Sequence, residues 1–154
     1  MAITEVTRLT ISFLLLLVAP ALLRGCPSNA KKQPEEGGER VRVRLGQEFK
    51  LRVGQQAAVE GEGLRVRFAA VVNDSRCPAD VTCVWAGNAE VQIEAEAGGS
   101  REDLKLNTHG GDGFPKEARH KQYSVGLVSL SPHPRTDRKT VAADYVATLV
   151  IRKE

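Results

Sequence analysis

The sequence predicts an all-β domain over residues 40–154: a single small β-sandwich or partly open barrel of about seven or eight mainly antiparallel strands. Three observations carry that expectation. Apolar and polar residues alternate with period two over several stretches, as they do on a sheet with one buried and one wet face. Clusters of Gly and Pro separate those stretches, and no segment keeps a helical period.

In order, Val41, Val43 and Leu45 alternate with Arg40, Arg42 and Arg44, and Phe49, Leu51 and Val53 with Lys50 and Arg52. Leu64, Val66, Phe68, Ala70 and Val72 form the next inward set, with Arg65 and Arg67 on the wet face. Ala89, Val91, Ile93 and Ala95 then alternate with Glu90, Gln92, Glu94 and Glu96, and Tyr145, Ala147, Leu149 and Ile151 close the pattern. Gly61-Glu62-Gly63, Gly98-Gly99-Ser100, Gly110–Gly113 and Ser131–Pro134 are the turns. Lys116 to His120 is expected to make at most one helical turn.

Composition bounds the function. Charged residues make up 27% and hydrophobic ones 42%, an ordinary globular balance. A net charge of +3, mixed evenly with acid, does not argue for nucleic acid, and 5% aromatics leave little for base stacking.

Residues 1–25 read as a signal peptide, with Arg8 ahead of the apolar run Ile11–Leu23, which is shorter than the roughly 20 residues of a membrane span. Two cleavage sites compete. Ala19-Pro20-Ala21 has the small-x-small form, and Leu23-Arg24-Gly25-Cys26 resembles a bacterial lipobox, from which Arg24 departs. Residues 26–39 are rich in Ser, Lys, Gln, Pro, Glu and Gly and read as a flexible tether. Lipid attachment at Cys26 accounts for the odd cysteine count and places the protein at the cell envelope, anchored to a membrane; soluble secretion or a periplasmic location is the alternative.

In an oxidising compartment Cys77 and Cys83 are expected to pair, a short loop worth about 2–2.5 kcal/mol. The inward set before them is even-numbered and the one after them odd-numbered, so same-face hairpin partners add to an odd number. That rule allows Arg65 opposite Glu96 and Arg67 opposite Glu94. It excludes Cys77 and Cys83 as ladder partners, so a bulge or irregular loop intervenes.

The run D-S-R-C-P-x-x-V-x-C-x-W-A-G, from Asp74 to Gly87, resembles that of a group of small exported bacterial proteins, many of them lipoproteins. Tyr123-x-Val125-x-Leu127, Leu130-x-Pro132-x-Pro134 and the Tyr145 strand resemble its C-terminal half, so the resemblance covers roughly Leu64 to the end. It implies the compartment and the disulfide, and no particular chemistry.

Asp74, Arg76, Asp80 and Trp85 are the candidate recognition residues on this loop. Against recognition stands a structural role: the aspartates capping turns, Arg76 pairing with a carboxylate, and Trp85 packing against the disulfide at one end of the core. Gly87 reads as a bulge or bend. His109, His120 and His133 lie in turn-like stretches and read as solvated. No cofactor is expected, since the sequence has no G-x-S-x-G, H-E-x-x-H or P-loop, and its one Met is Met1. The expected function is a non-enzymatic envelope lipoprotein that binds an unidentified envelope protein or ligand or supports the envelope. Alternatives are a secreted protease-inhibitor-like module presenting the loop from Asn107 to Pro115, and an enzyme of unknown type.

Overall fold

The structure is a computed structural model and describes residues 40–154. The expected signal peptide (1–25), tether (26–39) and lipidated Cys26 lie outside the described residues. The nine strands are β1 (Arg40–Val43), β2 (Glu48–Arg52), β3 (Gln56–Val59), β4 (Leu64–Asp74), β5 (Ala89–Ala97), β6 (Ser100–Asn107), β7 (Glu117–His120), β8 (Tyr123–Ser131) and β9 (Val146–Lys153). They form a five-stranded sheet of order β1-β3-β4-β5-β6 and a four-stranded sheet of order β2-β9-β8-β7. The expected all-β sandwich is therefore present, every pairing being antiparallel except β1 with β3.

The core lies between the sheets and is almost wholly aliphatic. Leu64, Val66 and Phe68 of β4 and Val91 and Ile93 of β5 face Leu51 of β2 and Leu149 and Ile151 of β9, all essentially inaccessible to water. The alternation read from the sequence sets this packing. Arg65 is paired in register with Glu96 and Arg67 with Glu94, pairs that the parity rule allows.

Beyond Phe68 the alternation misleads. Bulges between Phe68 and Ala70 and between Val71 and Asn73 each shift the register by one residue. Val71 comes opposite Val91, while Val72 turns out to solvent at 53% exposure, so Ala70 and Val72 do not continue the inward set. A bulge between Leu127 and Ser129 likewise carries the inward face of β8 from Leu127 to Leu130.

Lys116–His120 does not make a helical turn. Glu117–His120 is β7, because β8 offers it a ladder in which His120 lies opposite Tyr123. His120 is also not a solvated turn residue. Its ring is 2% exposed, with Nδ1 2.9 Å from the Glu102 carboxylate and Nε2 3.2 Å from the Ser100 carbonyl. These bonds tie edge strand β7 of one sheet to edge strand β6 of the other. Tyr123 makes a second tie, its hydroxyl donating to the Glu62 carbonyl at 2.8 Å.

Candidate recognition site at the disulfide loop

The β4–β5 connection rises from one end of the sandwich. Its ladder outlasts the strands: Ser75 N–H donates to Asn88 O at 2.7 Å, and Cys77 N–H to Ala86 O at 2.8 Å. Cys77 therefore lies opposite Ala86. Its disulfide to Cys83, with Cα atoms 5.9 Å apart, closes an irregular turn over residues 78–82 instead of bridging ladder partners. Gly87 is required here. Its φ is +70°, and a Cβ on it would sit 1.9 Å from the Ser75 carbonyl oxygen.

Arg76 secures the base of the loop. Its side chain is 5% exposed and that of Asp74 8%. Nε donates to Asp74 Oδ1 at 2.8 Å and Nη2 to Asp74 Oδ2 at 2.7 Å, the bidentate fork that suits guanidinium and carboxylate. The same guanidinium reaches the opposite sheet, with Nη1 donating to Leu130 O at 2.6 Å and Nη2 to Pro132 O at 2.8 Å. Tyr145, just ahead of β9, donates its hydroxyl to Asp74 Oδ2 at 3.0 Å.

Burial alone pushes the Asp74 carboxyl up. Hydrogen bonds from the Arg76 side chain and N–H, the Arg76 charge and the Tyr145 phenol outweigh it, and hold Asp74 below the ordinary aspartate range. Burial, with Asp74 as acceptor, pushes the Tyr145 phenol up. These groups spend their hydrogen bonds on one another and on main-chain carbonyls, and so brace the base of the loop.

Asp80 joins the loop to its neighbour. It accepts from the Thr136 N–H at 3.0 Å and from the Thr136 hydroxyl, bonds that draw its carboxyl below the ordinary range. Ala79 N–H donates to Pro134 O at 2.9 Å. The 132–140 segment thus stands against the disulfide loop. An open cleft of about 230 Å³ is lined by Arg135, Arg138, Lys139 and Thr140 together with Asp74 and Tyr145. Arg135 is paired with Asp137, whereas Arg138 and Lys139 have no ion-pair partner among the described residues.

Trp85 is where the sequence reading fails. It was expected to pack on the disulfide; it is 83% exposed, with Val84 beside it at 91% and Val81 at 47%. Packing on the disulfide would need an extended strand from Cys83, to put Trp85 on the same face, and residues 84 and 85 lie in a bend ahead of β5. Tyr145, Leu130 and Arg76 are the buried residues that meet at this end of the core.

Of the four candidates, then, Asp74 and Arg76 are joined in one buried pair, Asp80 pins the loop to Thr136, and Trp85 stands free at the tip. The sequence reading missed Tyr145, Thr136 and the carbonyls of Leu130 and Pro132. Their only sequence signal is the need of a buried phenol and a buried guanidinium for partners. No group of three or more His, Cys, Asp or Glu able to hold a metal occurs among the described residues. The Asn107–Pro115 loop is closed at its base by Asn107 N–H donating to Pro115 O at 2.8 Å, and carries a half-exposed Phe114. Comparison with protein-family models, curated proteins and solved structures finds no match for this chain.

Proposed function

We propose that this chain is an exported, lipid-anchored protein of the cell envelope whose β-sandwich works by binding and not by catalysis, through the end that carries the disulfide loop. The observation that carries the reading is the contrast within that loop. Its base is held by a disulfide and a buried guanidinium–carboxylate–phenol set, while its tip leaves Val84 and Trp85 in water. A rigid loop with an exposed aromatic tip is how a scaffold presents a contact residue without losing entropy on binding. The apolar run, Cys26 and the polar residues after it support the anchored location.

Growth with a clickable palmitate analogue tests the anchor. Label on the wild-type chain and none on Cys26→Ser is expected; an unlabelled chain released in soluble form would leave the binding domain as a secreted module.

A further inference from the structure

We propose that the Val84–Trp85 tip is a membrane-docking device that enters the interfacial region of an anionic lipid surface, with Arg138 and Lys139 settling on the headgroups. Three observations converge. The tip is apolar and compact: Val81, Val84 and Trp85 are the large exposed hydrophobics of this loop, and no charged residue occurs from Val81 to Asn88. The indole N–H has no partner among the described residues, so it is free to bond an ester carbonyl while the ring lies among acyl-chain ends.

The adjoining segment supplies the matching charge. Residues 133–140 hold Arg135, Arg138 and Lys139 against one acid, Asp137. Asp137 is paired with Arg135, and Asp80, the acid of the disulfide loop, accepts from Thr136 and keeps its charge; Arg138 and Lys139, whose cleft Asp144 also lines, have no ion-pair partner among the described residues. An aromatic tip on a loop that is hydrogen-bonded to the segment carrying these two cations complements a bilayer with negative headgroups. A protein partner fits less well, because a stable interface covers about 800 Å² on each side, and the apolar surface here is a projection of a few side chains.

The geometry suits the proposed anchor without needing it. Strand β1 is parallel to β3 and therefore antiparallel to β4, so Arg40 is at the end of β1 that faces the disulfide-loop end of the sandwich. The 14 residues from Cys26 to Glu39 span at most about 50 Å. From Arg67, in register with Arg40 through Gln56, to Asp74 is about 23 Å along β4.

Trp85 is the chain's one tryptophan, so its fluorescence reports on the tip alone. The full-length chain is mixed with vesicles of phosphatidylcholine containing a third phosphatidylglycerol, and with vesicles of phosphatidylcholine alone. With the anionic vesicles, a shift of emission to shorter wavelength, protection from iodide and quenching by brominated acyl chains are expected, all weakened by high salt. Arg138→Gln and Lys139→Gln should each raise the lipid concentration for half-maximal shift about fivefold. Val84→Ser should weaken docking with an unchanged melting temperature. A chain that floats with anionic vesicles while Trp85 stays open to iodide would overturn the proposal and assign the tip to a protein partner. Flotation and palmitate labelling would still report the anchor separately.

Discussion

The Tyr145 hydroxyl donates to Asp74 Oδ2, the same oxygen that Arg76 Nη2 holds, so one carboxylate atom joins the end of β4 to the start of β9.

Arg76→Met leaves the Asp74 charge buried without its counter-ion and should cost about 3–5 kcal/mol. Asp74→Asn combined with Arg76→Met removes the stranded charge while keeping an acceptor for Tyr145, and should recover part of that loss. Urea unfolding of the single and double variants measures both.

The Asp74–Tyr145 pair gives stability a limit on each side of neutrality. The folded carboxyl of Asp74 lies below the usual 3.8, so its contribution is complete above that pH and is lost as pH falls through the lower folded value. The folded phenol of Tyr145 lies above the usual 10.0, so its contribution is complete below that pH and disappears as pH rises through the higher folded value. Tyr145→Phe should remove this alkaline loss, retain the acid one and cost about 1.5–3 kcal/mol near neutrality, read from melts across pH.

Replacing Cys77 and Cys83 together by Ser should lower stability by about 2–2.5 kcal/mol, since a short closed loop constrains the unfolded chain only modestly. Tryptophan emission should stay where it is, because Trp85 is already in water with the bridge intact. A large red shift on reduction would mean that the indole is covered.

Gly87→Ala should be among the most damaging small substitutions. The new methyl meets the Ser75 carbonyl at 1.9 Å in a backbone conformation that disfavours side chains, so a loss of at least about 2 kcal/mol is expected in a thermal melt.

Much of the frame was legible because one face of each sheet is buried. Where that face is continuous, as from Leu64 to Phe68 against Ile93 to Ala97, parity decides which residues share a face and admits the observed pairing of Arg65 with Glu96. The reading lost its hold at the bulges. A residue inserted after Phe68 leaves no mark in an Ala-Ala-Val-Val run, whose members suit either face, so the outward turn of Val72 was hidden. Strand β7 was missed because its four residues owe their extension to the ladder offered by β8. At the site, the bridge and a carboxylate for Arg76 were foreseeable from residue chemistry. The exposure of Trp85 was not, because residues 84 and 85 lie in a bend that the sequence around Cys83 does not announce.

The outermost strands carry a further consequence. In β1 the exposed Arg40 and Arg42, in β2 Glu48, Lys50 and Arg52, in β6 Arg101 and Lys105, and in β7 Glu117 and Arg119 set charge along every sheet margin. The margins of β6 and β7 are also clasped together through His120. Charged, short or covered margins refuse an incoming strand. The domain is thereby guarded against stacking edge to edge into fibrils even when crowded.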